Sequence, residues 1–501
     1  MNNNENTQQI VICGNNIEVL KQYPDNYFDS VVTDAPYGLG KEPNCEEMLS
    51  AWITDGYLEV KGSGFMGKEW DAFVPQPIFW KEVYRVLKHG GHIISFFGTR
   101  TYDWGCMAIR LAGFEVRDCI QWLYGSGFPK SHNISKAIDK LNGNEIDNDG
   151  YIPNQKNNTH GKNWGGGNKT KVSVPIDDLA KQWDGWGSAL KPANEPIVLA
   201  RKPLEKGLSI AENVLKWGTG GINIDASRIG TNDVLGREQN KDYQHFKCSN
   251  YQDVYWDNSK GLGRFPANII LTHHPECSCE YYKEEPTSEE VQEEWSCVDA
   301  CPIKIMDEQS GESNSVMSER GNIVNNAVYG KYNQQDNTTR GHNDSGGASR
   351  FFYTAKASQW EKNFGLDDFE QKQSVGGGGG VGDYLDDVNS SSGNFGSEKA
   401  PSKNIHPTIK PIQLMQYLVR LVTRPNGIVL DAFCGSGTTG VACKIDGFNF
   451  VGIDISEEYT EIAKARINAF NEENKLLEDT IVYKYKNKET DISPNQLSMF
   501  D

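Results

Sequence analysis

Short apolar runs alternate with amphipathic stretches toward both ends of the chain, whereas the middle holds neither period for long. Residues 9–13 and 28–33 have the length and composition of strands, and residues 91–97 predict a buried one. Residues 75–88 put Phe79, Val83, Val86 and Leu87 on one face, which predicts a helix. Residues 102–112 predict the next helix and residues 114–124 a further strand. Such alternation predicts a parallel sheet with right-handed crossovers. The C-terminal block repeats it: an amphipathic helix over 412–422, a strand over 427–430, a helix opening near Thr438, a strand over 450–454 and a helix over 457–469.

Between these blocks the pattern weakens. Residues 142–170 are rich in Asn and Gly, include Trp164-Gly165-Gly166-Gly167, and predict a loop. Residues 195–201 return to strand character, and only short strand-like pieces follow at 218–229, 264–272 and 350–354. Two stretches, 313–347 and 374–403, hold so much Gly, Ser and Asn that they are expected to be disordered without a partner. The expected organisation is a tail over 1–9, one part of an α/β domain over 10–205, a variable lobe over 206–400, the second part of the domain over 401–475 and a C-terminal tail over 476–501.

A length of 501 residues exceeds one typical domain and can bury a large core. Hydrophobic residues make up 37% and the mean hydropathy is −0.60, and no apolar run approaches bilayer length. The start, Met1-Asn2-Asn3-Asn4-Glu5, lacks the basic and apolar regions of a signal peptide, so a cytoplasmic chain with no membrane partner is expected. Eleven cysteines in such a chain argue against a disulfide framework. Four of them, Cys277, Cys279, Cys297 and Cys301, lie beside His273 and His274 at spacings compatible with tetrahedral zinc. The alternative is a set of reduced thiols in a small loop-rich subdomain.

Candidate chemistry sits where predicted strands stop. Asp34-Ala35-Pro36-Tyr37 follows the strand at 28–33, so a carboxylate, a rigid Pro and an aromatic emerge where open α/β sheets bind ligands. Asp431-Ala432-Phe433-Cys434-Gly435-Ser436-Gly437-Thr438 follows the strand at 427–430, and its glycines leave backbone room against the strand end. Asp454 ends the next strand about twenty residues on, an acid suited to ribose hydroxyls. Each piece alone is common, since a Gly-x-Gly after a strand is more often an ordinary tight turn.

Joined with His406-Pro407-Thr408-Ile409-Lys410-Pro411, these segments resemble the amino-methyltransferases of DNA, in which an Asp-Pro-Pro-Tyr box, a Phe-x-Gly-x-Gly box and a His-Pro-Thr-x-Lys-Pro box recur. The order, catalytic box first and cofactor boxes last, resembles the permuted β-group, many of whose members are phage or prophage encoded. The resemblance covers residues 10–140 and 400–470 best. It implies a Rossmann-like α/β fold with a circularly permuted motif order and a large inserted target-recognition lobe. It also implies methyl transfer from S-adenosylmethionine to adenine N6 in duplex DNA, with cytosine N4 as the alternative.

In that reading Asp34 and the Ala35 carbonyl accept the two amino hydrogens of a flipped base, Pro36 fixes the carbonyl and Tyr37 stacks on the ring. Phe433, Gly435 and Gly437 pack the cofactor, Asp431 orients its amino end, Asp454 takes the ribose, and Thr408 and Lys410 contact the methionine portion. Ala35 replaces the family's first Pro, and Asn15 stands where relatives often carry Asp near the adenine ring. The loop 122–131, with three aromatics and Lys130, is a candidate to fill the gap left by a flipped base. A non-catalytic DNA-binding protein of the same fold is the rival from another class.

A DNA partner sits awkwardly with a formal charge of −18, from 50 basic and 68 acidic residues. A local basic face is therefore expected, with Lys191, Arg201, Lys202, Lys206, Lys216 and Arg228 as candidates. The last residues, Gln496-Leu497-Ser498-Met499-Phe500-Asp501, resemble the Gln-Leu-x-Leu-Phe peptides that bind the bacterial sliding clamp, with Gln496, Leu497, Met499 and Phe500 as anchors. Many relatives dimerise, so a homodimer is a further possibility that no motif decides.

Overall fold

Nine strands make one sheet in the computed structural model of the chain. The structure describes residues 7–60, 62, 69–125, 131–143, 151–153, 169–171, 175–191, 193–229, 264–274, 277–283, 291–314, 318–319, 339–340, 345–355, 363–371, 403–406, 409–470 and 483–485. Thr408, residues 126–130 of the candidate gap-filling loop, most of 313–347 and 374–403, and the clamp-like peptide at 496–501 lie outside the described residues. Within the stretch expected to be a loop, Tyr151–Pro153 and Lys169–Lys171 pair as two short antiparallel strands.

The strands of the main sheet are β1 (Gln9–Cys13), β2 (Phe28–Thr33), β3 (Leu87–Phe96), β4 (Glu115–Leu123), β5 (Asn194–Arg201) and β6 (Ile269–Thr272). After a separate hairpin of β7 (Ser278–Lys283) and β8 (Val291–Ser296) come β9 (Tyr353–Ala355), β10 (Ile428–Asp431) and β11 (Asn449–Asp454). Their spatial order is β1-β11-β10-β2-β3-β5-β4-β6-β9. Every neighbouring pair is parallel except those made by β5, which runs antiparallel to both β3 and β4.

Both faces of the sheet are covered by helices, which is why its central strands read as apolar runs rather than as alternating ones. All six residues of β2 are buried. Side chains alternate between two cores, with Val31 and Ile93 in one and Val32 and Ile94 in the other. The first core is closed by the helices Cys45–Thr54, Pro77–Val86 and Tyr102–Leu111, which supply Trp52, Trp80 and Ile109. The second is closed by Ile412–Val422, Thr438–Asp446 and Glu457–Ala469, which supply Leu418, Ala442 and Ile467.

Two sequence expectations change. The strand expected at 195–201 is β5, and it lies inside the sheet, antiparallel to both neighbours in a sheet expected to be parallel, with β4, β6 and β9 beyond it. β6 and β9 come from the segment expected as a variable lobe, so that segment extends the main sheet directly. Among the described residues no helix is long and apolar enough to cross a membrane.

Candidate active site

Because β10 lies beside β2 in parallel, pairing Val429 with Ser30 and Leu430 with Val31, their C-terminal ends emerge together. This register brings residues from opposite ends of the chain into one site. Thr33 Oγ1 donates to Asp431 Oδ1 at 2.6 Å, and Thr439 Oγ1 donates to Asp431 Oδ2 at 2.5 Å. The Phe433 N–H adds a longer bond to Oδ1, 3.2 Å. Burial pushes the Asp431 carboxyl up to about 6, against these hydrogen bonds.

A cavity of about 290 Å³ opens over these strand ends, close to the lower bound for pockets that hold small ligands. Asp34, Ala35, Pro36 and Tyr37 line it from β2, and Asp431, Phe433, Gly435 and Asp454 from β10 and β11. Lys410 and Asn15 complete the predicted residues on its wall. Asn15 also caps the helix Asn16–Leu20, its side-chain oxygen accepting the N–H groups of Ile17 and Glu18 at 3.0 and 3.3 Å. Asp454 is engaged in the same manner, taking the Gly435 N–H on one oxygen and the Ser456 N–H on the other, both at 2.9 Å. Phe433 rests on Phe79, ring centroids 5.0 Å apart.

Gly435 has φ +49, and a Cβ there would stand 2.6 Å from His406 Nε2. The His406 ring is itself held edge-on to Tyr459, centroids 4.8 Å apart, so it has little room to retreat. Gly435→Ala is therefore expected to lose about 1–3 kcal/mol of stability in chemical denaturation. An unchanged denaturation midpoint would show that the loop relaxes freely. Gly437 is not on the cavity wall; at φ +78 it starts the helix Thr438–Asp446, and a Cβ would meet that of Ala463 at 2.8 Å.

The residues of the Asp34 box are held by Lys410 and by two groups outside any motif, Asp71 and Glu195. Asp71 Oδ1 accepts the backbone N–H of both Tyr37 and Gly38, at 2.9 and 3.0 Å. The Tyr37 hydroxyl donates to Glu195 Oε2. Lys410 Nζ sits 2.6 Å from Asp34 Oδ2 and 3.3 Å from Glu195 Oε2. Its ammonium is also 5.1 Å from the Phe96 ring centroid and 5.4 Å from that of Tyr37. Burial pulls the lysine down, but Asp34 and Glu195 outweigh it and hold Lys410 above the usual lysine range. Burial first, then the charges of Asp34 and Glu195, push the Tyr37 phenol well up, so it stays protonated.

Lys410 thus faces Asp34, whereas the resemblance implies a contact with the methionine portion of the cofactor. Two carboxylates inside an aromatic wall need a buried cation, and Lys410, 7% exposed, is that cation. Glu195 escaped the sequence reading, although an acid at the start of an otherwise apolar strand was a usable signal. Asp71 carried none. One atom stands out in this network: Asp34 Oδ1 is buried and has no hydrogen-bond partner among the described residues.

Of the expected zinc ligands, Cys277, Cys297 and Cys301 converge, and His273 joins them in place of Cys279. Cys279 lies on β7 opposite Trp295, and its side chain is outside the described set. Two candidates for a DNA-facing basic surface are structural instead. Arg201 is 8% exposed and bonds Glu115 at 2.7 Å, while Lys202, 3% exposed, donates to Asn26 and to the carbonyls of Tyr84 and Leu87.

A family profile described as DNA methylase, of the N6/N4 type, matches residues 28–465. The chain is 46% identical over 69 residues to the Type II methyltransferase M2.DpnII of Streptococcus pneumoniae. It is 47% identical over 72 residues to M2.LlaDCHI of Lactococcus lactis subsp. cremoris. Each match takes in 14% of this chain and 26% of the relative, so the chain spans about a quarter of the length of these curated relatives. Superposition on M1.HpyAVI covers 92% of this chain and 100% of that one, at 13% identity and a TM-score of 0.32. On the PvuII DNA methyltransferase (cytosine-N4-specific) it covers 94% and 93%, at 12% identity and a TM-score of 0.37. The fold is the Rossmann-like α/β fold of S-adenosylmethionine-dependent methyltransferases with its motif order circularly permuted. Because the profile's span, residues 28–465, takes in both the Asp34 box and the Asp431 box and most of the chain, the chain belongs to the N6/N4 DNA methylase family.

Proposed function

We propose that this chain transfers a methyl group from S-adenosylmethionine to the N6 amino group of adenine in duplex DNA. The observation that carries this reading is Asp34 Oδ1, a buried acceptor without a partner in a side chain whose other oxygen is fixed by Lys410. The lone pair of an exocyclic amine is delocalised into the ring, so attack on a methyl group requires that it be localised. Asp34 Oδ1 accepts one amino hydrogen and the Ala35 carbonyl the other, drawing the nitrogen toward tetrahedral geometry. Ala35 is 2% exposed, so packing restrains it where the family's Pro would fix φ. Tyr37, anchored through Asp71 and Glu195, offers the stacking face for a base turned out of the helix.

The cofactor supplies an activated sulfonium methyl when bound. The residues present fit it: Asp431 for its cationic amino end, Asp454 for the ribose, and the loop at Phe433 and Gly435, whose backbone leaves no room for a side chain. The leading Asp of the catalytic box, rather than Ser, is the family's commoner signature for adenine, which supports N6 over cytosine N4.

Two measurements test the reading. Expression in a methylation-free strain, followed by nucleoside mass spectrometry, is expected to give N6-methyladenine with the wild-type chain and none with Asp34→Ala. N4-methylcytosine would keep the mechanism and change the base, and neither product would sink the proposal. Second, Asp431 must be ionised to hold an amino group, and it is raised to about 6. As pH falls through that value the carboxyl takes up a proton and the attraction is lost. Titration calorimetry is expected to show the dissociation constant of S-adenosylmethionine rising by up to about tenfold per pH unit below 6. Asp431→Asn should bind weakly throughout, with a shallower slope.

A further inference from the structure

We infer that His273, Cys277, Cys297 and Cys301 form a structural zinc site that clasps the edge of the main sheet to the hairpin and helix beyond it. Their four ligand atoms all lie within 4.8 Å of one another, with His273 and Cys301 buried and Cys277 and Cys297 half-buried. Zn–S bonds of about 2.3 Å and a Zn–N bond of about 2.0 Å imply N···S edges of about 3.5 Å in a tetrahedron. His273 Nδ1 lies 3.3 Å from Cys297 Sγ and 3.5 Å from Cys301 Sγ. All three cysteines are free thiols.

The backbone accounts for the convergence. His273 directly follows β6, and a turn closed by the Cys277 N–H on the His274 carbonyl, 2.9 Å, brings Cys277 back toward it. Cys277 and Cys297 flank the hairpin, whose register pairs Ser278 with Ser296, so its base holds the two thiols opposite each other. A second turn, from the Cys301 N–H to the Val298 carbonyl at 2.9 Å, sets Cys301 at the N-cap of the helix Pro302–Ser310. Its side chain makes no capping bond there. The Trp295 ring stacks on His273, centroids 3.6 Å apart and planes 9° from parallel, which fixes the imidazole.

Three thiolates and one imidazole in a closed four-donor set select zinc over hard cations, and leave no coordination position for a substrate. Among the described residues the apolar cluster around the site is small, with Leu271, Cys301 and Ile303 buried and Leu123, Ile269, Val298, Met306 and Phe352 half-buried against them, so a metal staple would add to a modest core. The clasp begins one residue from Thr272, whose hydroxyl accepts the Trp122 indole N–H at 2.7 Å.

The test is metal analysis of the full chain, expressed with zinc in the medium and dialysed without chelator. One zinc per chain is expected. Cobalt replacing it should give the d–d bands of a tetrahedral site and a thiolate charge-transfer band. Cys297→Ser and His273→Asn should weaken zinc binding at least as much as the 10–100-fold losses that follow removal of an outer partner of a metal site, whereas Cys279→Ser should bind as the wild type does. Since a ligand variant can unfold the hairpin for other reasons, the unmutated chain decides independently. Substoichiometric zinc, or a cobalt spectrum without thiolate charge transfer, overturns the site. So does loss of zinc in Cys279→Ser with retention in His273→Asn, which would place the ligand set elsewhere.

Discussion

Asp34→Asn is expected to lower methyl transfer by about 10³-fold, the upper range for loss of one charge-stabilising group, while S-adenosylmethionine binding changes only a few-fold. The carboxylate's Oδ2 is occupied by Lys410, so in the proposed reaction the amine would meet Oδ1, which has no partner among the described residues. An amide of the same shape keeps an oxygen but loses the charge that draws on the amine. It also turns an N–H₂ group toward either the lysine or the substrate, and both are donors. Single-turnover transfer of labelled methyl to duplex DNA, beside calorimetric cofactor binding, separates the two effects. Equal loss in both would mean that Asp34 serves the cofactor cavity and not the base.

Lys410→Met should be the most destabilising of the conservative-sized changes at this site, by about 3–5 kcal/mol at neutral pH. The substitution leaves Asp34 and Glu195 facing each other in an aromatic enclosure with no cation between them. Urea denaturation of the variant beside the wild type reads this directly. Adding Glu195→Gln to Lys410→Met is expected to recover much of the loss, and a double variant no more stable than the single one would argue that lysine packing, not charge, matters here.

What the sequence made legible was whatever depends on local pattern. Residues 28–33 read as a buried strand because both faces of β2 are covered, and the boxes at Asp34 and Asp431 stand where strands end. The helix expected over 75–88 stops at Val86, because Leu87 is already extended and β3 starts without a loop. Lys88, expected in that helix, and His89 and Gly90, expected between it and the strand at 91–97, belong to the strand as well. Less legible was everything set by register between distant segments. Glu195 reaches Lys410 only because β5 enters the sheet antiparallel beside β3, and nothing in its composition states its neighbours. His273 joins the thiols through a hairpin whose pairing was not readable from Cys spacing alone.

The bond from Thr33 to Asp431 spans 398 residues, and it joins two neighbouring inner strands of the sheet. A ribosome adding roughly 5–20 residues per second takes roughly 20–80 s to travel between them. Through that interval β2, all six of whose residues are buried in the folded chain, lacks its partner β10 on one side, an open edge of the kind other chains pair with. The nascent protein is therefore prone to aggregate until β10 has been made, so yield in cells should depend on chaperones that shield that edge.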